Sequence, residues 1–325
     1  MRRLISAAAR LVAAVALTAV TAMGAVAEDY PTKPIRFLVG FSAGDGLDLS
    51  ARIIAEKLST VIGQPVLVEN LPGASGMVAM RNMLASPADG YTILLMSPTL
   101  TIQSARGTDG FDIRRDVTPI IQQSSQALIM YVKKDGRFNT LPEFVAYAKA
   151  QKQPLQYTSG GIGSYGHLWW EMFRSRQGIA GEHVAYNGIA PALKDVMGGQ
   201  VPLLIDAIVP SGAQVKAGTV RGLAIVASQR AKSLPDLPTL SEQGYTGLDA
   251  APFYGILGPA GMDPAVVQKL SSTLQQALAT PALREKLQEQ GFDVVASSPE
   301  AYAKLIRDEI DRWSKVVREG GIKVD

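Results

Sequence analysis

From Ile35 onward, short apolar and β-branched runs alternate with segments in which apolar residues recur every three or four positions. The series IRFLVG (35–40), DLSARIIAEKLSTVI (48–62), PVLVEN (65–70), a helical pattern after Gly76 and YTILLM (91–96) predicts strand, helix, strand, helix, strand. That rhythm implies a mostly parallel sheet flanked by helices, because a parallel crossover needs a connection long enough to hold a helix. Within 48–62, Leu49, Ile53, Ile54 and Leu58 mark the apolar face, and Asp48 and Arg52 stand one turn apart, spaced to pair. The run Ala127 to Val132 reads as another strand, and Thr140-Leu141-Pro142-Glu143 is a capping box that opens a helix. The rhythm then restarts through LQYTS, HVAY, VPLLID and LAIVAS, so a second lobe is expected over 126–247. The proline-rich SLPDLPTL (233–240) leads into APFYGILGPAG (251–261), whose strand-like core returns the chain to the first lobe, 28–125 plus 248–325. Closing helices are announced by Asp263-Pro264, Thr280-Pro281 and Ser298-Pro299, each a capping residue with proline at the first helical position. The hinge is expected where the chain crosses, near Gln126 to Val132 and Thr246 to Tyr254.

Two junctions run from strand through a glycine-rich turn into a helix: LVGFSAGDGLDLSAR (38–52) and YTSGGIGSYGHLWW (157–170). A helix start presents unpaired N–H groups and partial positive charge, and glycine lets a ligand approach the backbone. Neither turn contains Lys or Arg, so the cradle is one of neutral dipoles and hydroxyls, suited to a carboxylate more than a polyphosphate.

Other motifs in the two junctions are weaker. Gly40-Phe41-Ser42-Ala43-Gly44 fits the G-x-S-x-G nucleophile elbow, which makes an exported serine hydrolase using Ser42 the rival reading. Against it, the elbow strand belongs deep in a hydrolase sheet, whereas this one comes almost first, and the general base would have to be His167 or His183, the only histidines. Gly161-Ile162-Gly163-Ser164-Tyr165-Gly166 fits G-x-G-x-x-G, but Glu182, in place of the ribose-binding acid, precedes the strand expected at 183–186 instead of ending it. His167, before Trp169 and Trp170, reads as a packed helix-start residue, and two histidines without cysteine make no metal spacing. Asp206 ends VPLLID, at a strand edge where α/β folds bind ligands; a helix cap for a segment starting near Ser211 is the competing role.

Residues 1–27 carry a secretory signal pattern: Arg2 and Arg3, the apolar stretch Leu11 to Val20, and Ala25-Val26-Ala27 as a cleavage site before Glu28. The apolar stretch is shorter than a spanning helix needs. Cleavage removes three arginines and leaves 29 basic residues against 29 acidic ones, so nothing in the net charge favours nucleic acid. The absence of cysteine removes disulfides, thiolate metal sites and cysteine nucleophiles. The remaining length suits roughly two domains.

Further sequence runs extend the pattern over the whole mature chain: Tyr30-Pro31-Thr32-Lys33-Pro34-Ile35, Gln64-Pro65-Val66, Glu69-Asn70-Leu71-Pro72-Gly73-Ala74, Asp89-Gly90-Tyr91, Tyr186-Asn187-Gly188-Ile189-Ala190-Pro191, Gly198-Gly199-Gln200-Val201 and Gly258-Pro259-Ala260-Gly261. With these and the first cradle, the sequence resembles the substrate-binding proteins of the tripartite tricarboxylate transporter, the TctC or Bug group. The resemblance implies an α/β, two-lobed periplasmic binding protein, a type II-like Venus flytrap, that is not an enzyme and needs no cofactor or metal. It further implies a periplasmic monomer that closes on a small carboxylate and delivers it to a permease of one large and one small subunit, or signals to a sensor. By position, Phe41, Ser42, Gly44, Gly46 and Asp48 would form the floor, Ser97 and Thr99 a wall, Ser159, Gly163, Ser164, Tyr186 and Asp206 the opposing lobe, with Phe253 and Tyr254 lining the cleft. The chain departs from the family with Gly44-Asp45-Gly46-Leu47 where three glycines and a threonine are common, Ile162 for asparagine and Asn187 for lysine. These departures predict a ligand with an apolar or aromatic body and at least one carboxylate, rather than citrate.

Overall fold

The computed structural model describes residues 30–107, 110–186 and 189–320; the signal reading of 1–27 and the Asn187 departure lie outside them. In the predicted alternation come β1 (Ile35–Val39), α1 (Gly46–Ile62), β2 (Val66–Asn70), α2 (Met77–Leu84) and β3 (Thr92–Met96), then α3 (Thr99–Arg106), the single turn α4 (Ile113–Asp116) and β4 (Val117–Ser125). Past Gln126 follow β5 (Leu128–Lys133), α5 (Leu141–Ala150), β6 (Leu155–Ser159), α6 (Tyr165–Gln177), β7 (Gly181–His183), α7 (Ile189–Gly198), β8 (Leu204–Ala207), α8 (Ile208–Lys216) and β9 (Val220–Val226). The chain ends in β10 (Phe253–Pro259), α9 (Pro264–Leu278), α10 (Pro281–Glu289), the two-residue β11 (Asp293–Val294) and α11 (Pro299–Gly320). The last three helices each begin at the proline that announces them, and Asp263 caps its helix by accepting from the Ala265 N–H at 2.7 Å.

Two sheets result, one in the order β11-β4-β10-β3-β1-β2 and one in the order β7-β6-β8-β5-β9. They are mixed, which corrects the expectation of mostly parallel sheets. β1 runs parallel to β2 and β3, and β6 runs parallel to β7 and β8. β10 is antiparallel to β3 and β4, β11 to β4, and β5 to β8 and β9. The reason lies in the crossings: β5 and β10 carry the chain in from the other lobe, so they start at the edge where the parallel strands end. Ala207, the last residue of β8, is opposite Leu128, the first of β5. Where the chain crosses, the Gln126 N–H donates to the Pro252 carbonyl at 2.8 Å and the Tyr254 hydroxyl to Gln126 Oε1 at 3.0 Å, so the two connections are tied to one another.

Alternation along the first sheet divides its core in two. Phe37, Val39, Ile93, Leu95 and Ile256 pack against Ile54 and Leu58 of α1 and Leu270 and Leu274 of α9. Leu38, Leu94, Met96 and Leu257 pack on the other face against Met80 and Met83 of α2 and Tyr302, Ile306 and Ile310 of α11. One assignment changes: Leu49 is 39% exposed, and α1 buries Leu47, Ala51, Ile54, Ala55 and Leu58, a stripe offset by about one position from the predicted face. The second lobe buries Tyr157, Trp169, Trp170, Phe173 and Ile205 in one cluster and Ile129, Tyr131, Leu204 and Ile225 in another. No described helix is long and apolar enough to cross a membrane.

Helix α11 belongs to both lobes. Its Tyr302, Ile306 and Ile310 sit in the first-lobe core, whereas Trp313 sits in the second, with its ring 4.8 Å from that of Tyr165 on α6. Glu309 Oε2 accepts from both the Tyr165 hydroxyl and the Trp313 indole N–H at 2.9 Å. Because Trp313 is fully buried and its loss also strips Glu309 of a donor, Trp313→Ala is expected to lower unfolding stability by about 3–5 kcal/mol in chemical denaturation. A loss below about 1 kcal/mol would mean that the end of α11 is not part of the core.

Candidate functional site

The first turn is built by close approach and by its own acids. At Gly40 an added Cβ would lie 2.6 Å from the Gly76 Cα, so a side chain there would push two backbones apart. Asp45 is the N-cap of α1 and accepts from the Leu47 N–H at 2.9 Å. Asp48 is buried behind the turn: Oδ2 accepts from the Gly44 N–H at 2.8 Å and Arg52 Nε at 3.0 Å, while Oδ1 accepts from Asn70 Nδ2 at 2.8 Å. Asn70 also donates to the Phe41 carbonyl and receives from Arg52. Burial works to raise the Asp48 pKa, but the hydrogen bonds from Arg52, Gly44 and Asn70 together hold it below the ordinary carboxylate value. Asp48 is therefore a strut under the turn, and two of the turn's N–H groups are answered by the protein's own carboxylates. The N–H of Gly46, at the first helical position, has no intrahelical acceptor.

The second turn is held from beneath by a chain of polar groups. Ser164 caps α6 by accepting from the His167 N–H, and its hydroxyl donates to Ser159 Oγ at 3.1 Å. Ser159 Oγ lies 2.8 Å from His183 Nε2, and the Gly163 N–H donates to His167 Nδ1 at 3.0 Å. The two imidazoles stack with centroids 4.1 Å apart and planes 25° from parallel. Burial lowers the pKa of both, His183 to about 4 with His167 contributing, so the stack is a neutral pair at neutral pH. The glycine motif here has a packing purpose: a Cβ on Gly166 would come 2.6 Å from the Ile205 carbonyl oxygen, so α6 lies directly on β8. Glu182 is inside β7, which ends at His183, three residues before the expected end of that strand.

Between the turns lies a cleft of about 400 Å³. Phe41, Gly46, Ser97, Thr99, Ser164 and Asp206 of the expected site line it, together with Tyr254. Ser42, Gly44, Asp48, Ser159 and Gly163 are not among its lining residues; the last four support the two turns, and Ser42 is exposed on the first. Tyr186 is also absent from the lining, its hydroxyl bound to Asp195 Oδ2 at 2.5 Å. Phe253 is buried against Tyr302 in the first-lobe core and borders a different, larger cavity of about 560 Å³ that neither glycine turn reaches. Its neighbour Tyr254 takes the cleft side because side chains alternate along β10. Asp206 does not cap α8, whose N-cap is Ala207, without a side-chain bond; burial pushes its carboxyl up to about 7, opposed by the Ala207 N–H. Residues not foreseen on the walls are Gln126 and Pro252 at the crossings, Leu128, Tyr165, Ile189 and, from beyond α10, Phe292. Neither histidine bonds Ser42, so the G-x-S-x-G serine has no base beside it.

Residues 50–322 match the family described as tripartite tricarboxylate transporter family receptor. Protein BugT of Bordetella pertussis is 32% identical over 301 residues, 92% of this chain and 92% of its own. Among solved structures, R. palustris Rpa4515 with adipate matches at TM-score 0.78 and 32% identity over 90% of this chain and 99% of that one. MatC from Rhodopseudomonas palustris with bound malate matches at TM-score 0.75 and 27% identity over 89% and 100%.

The neutral imidazole pair sets a pH dependence of stability. With the folded His183 pKa near 4 and the ordinary value 6.5, the contribution is complete above pH 6.5 and is lost as the pH falls from 6.5 through 4, where the unfolded chain takes up a proton that the fold refuses. His183→Gln is expected to flatten that part of the stability profile relative to the parent. Parallel profiles for the two proteins would contradict a neutral His183.

Proposed function

We propose that this chain, which belongs to the tripartite tricarboxylate transporter receptor family, is an exported receptor that closes two lobes on a small carboxylate with an apolar or aromatic body. The family consists of solute-binding receptors, and the chain is a receptor rather than an enzyme. The single observation that carries the ligand reading is the cleft of about 400 Å³, into which two strand–glycine turn–helix junctions open from opposite lobes. Its volume is within the range of small-molecule sites. Phe41, Leu47, Leu128, Ile189 and Phe292 supply apolar wall, which favours a hydrophobic body over the multiply charged citrate. The R. palustris neighbours hold adipate and malate, which supports the class of small organic acid.

In this reading the lobes are 28–125 with 248–325, and 126–247, with the tip of α11 packed against the second. The hinge runs through the tied crossings at Gln126 and Pro252. A ligand that touches both lobes favours the closed state by the difference in its affinity for the two states, and by nothing else. The closed monomer then docks on a permease of one large and one small subunit. Export relies on cleavage after Ala27.

A thermal-shift screen of the chain from Glu28, using benzoate, phenylacetate, hexanoate, adipate, malate and citrate, tests the proposal. A ligand at 100 times its dissociation constant stabilises by about 2.7 kcal/mol, a rise of roughly 5 °C for a protein of this size. The expected response is to the apolar or aromatic acids. A stronger response to citrate would overturn the apolar-body assignment, and silence to every acid, together with no binding of an amino acid, would overturn the receptor reading.

A further inference from the structure

Among the described residues that line the cleft, the charged ones are all acidic. Asp45 reaches it from the N-cap of α1 in the first lobe and Asp206 from the end of β8 in the second, and no Lys, Arg or His lines the space between them. Asp45 uses one oxygen on the Leu47 N–H, and Asp206 accepts from the Ala207 N–H. On the same walls Ser97, 4% exposed, carries a hydroxyl without any partner among those residues. Buried hydroxyls are seldom left unanswered. The cleft therefore owes hydrogen bonds to its guest, and its carboxylates can accept them only from a donor.

A second carboxylate on the guest would meet Asp45 or Asp206 with no cation to answer either. A protonated amine would meet two negative charges and bring up to three N–H donors, enough to serve Asp206 and Ser97 together. We propose, on the basis of the receptor reading above, that Asp206 with Asp45 opposite makes this cleft selective for a carboxylic acid that also carries a protonated amine, a zwitterion rather than a di- or tricarboxylate. Asp206 stands at the turn before α6, its Oδ1 3.2 Å from where a Cβ on Gly160 would lie, so the acid end takes an uncharged donor on the first-lobe wall, the Gly46 N–H at the start of α1. The amine end lies at Asp206.

Calorimetric titration of the chain from Glu28 at pH 7.5, with two sets matched in frame, tests the assignment. One set is hexanoate, adipate and 6-aminohexanoate; the other is 4-methylbenzoate, terephthalate and 4-(aminomethyl)benzoate. In at least one frame the amino acid is expected to bind tenfold or more tightly than the diacid and the simple acid. Asp206→Asn should then weaken the amino acid at least tenfold and strengthen the diacid, so that the preference collapses. Asp45→Asn, which keeps an N-cap acceptor, should weaken the amino acid at least threefold and serves should the Asp206 variant fail to fold. A diacid or simple acid binding as tightly as the amino acid overturns the inference and leaves the receptor reading standing; a protonated Asp206 donating to a second carboxylate would explain a diacid preference. Failure of all six to bind also overturns it, and the receptor reading falls only if the wider acid screen is silent too.

Discussion

A helix that follows a parallel strand starts at that strand's carboxyl edge, with its unpaired N–H groups pointing out of the sheet. The rest of this structure depends on that constraint. β1 feeds α1 and β6 feeds α6, so each lobe presents a helix start at one sheet edge, and the two edges face the same gap. The crossings must join the lobes at those edges, because β4 ends there and β10 begins there. That is why β5 and β10 run against the parallel strands beside them, and why Gln126, Leu128, Pro252 and Tyr254 become wall residues of the cleft.

The two helix starts are not equivalent in what they leave for a guest. In the first, Asp45 and Asp48 answer the N–H groups of Leu47 and Gly44, and Arg52 and Asn70 lock Asp48 in place. In the second, the support comes from uncharged groups: Ser159, Ser164 and the stacked His167 and His183. Both turns are hydrogen-bonded from within before anything binds, which lowers the ordering cost of association. The first is electrostatically closer to saturation, since its own carboxylates stand where an anion would go. The second has an uncharged residue, Ser164, as its cap, with Asp206 standing beside the turn from the end of β8.

How far the sequence foretold this depended on whether a signal was local. The prolines at 264, 281 and 299 fixed helix starts because proline at the first helical position is a local preference; at the expected capping box Thr140 accepts from the Glu143 N–H as foreseen, while the Glu143 carboxylate takes the Asn139 N–H instead of that of Thr140. The pairing of Asp48 with Arg52 was readable from spacing alone, whereas the ties of Asp48 to Gly44 and Asn70 come from folding of the turn onto β2. Strand direction was not readable, since it depends on which lobe the chain arrives from. Leu49 illustrates a narrower limit: two offset stripes on α1 are both apolar enough to qualify, and packing against α9 chose the one through Leu47, Ala51, Ile54 and Leu58. Phe253 and Tyr254 are adjacent aromatics on one strand, and only the orientation of β10 decides which reaches the cleft. Phe292 arrives from far along the chain, with nothing local to mark it.

Helix α11 constrains what closure can be. Ile310 is held in the first-lobe core and Trp313, three residues later, in the second, and Glu309 ties Tyr165 to the indole between them. A continuous helix cannot follow two lobes that swing apart freely. Opening of the cleft has to be taken up by bending α11 within that single turn, by sliding it across one core, or by small rotations that both cores tolerate. Close-packed cores resist the first two, because each moves fully buried aromatic rings out of fitted contacts. For the proposed closure small rotations remain, with the Gln126–Pro252 tie and the Tyr165–Trp313 contact as the pivots it would use. In the proposed receptor, a cleft that opens through a small angle would admit a small ligand and discriminate chiefly by what its walls offer, among them the polar side chains of Asp45, Ser97, Thr99, Gln126, Ser164 and Asp206.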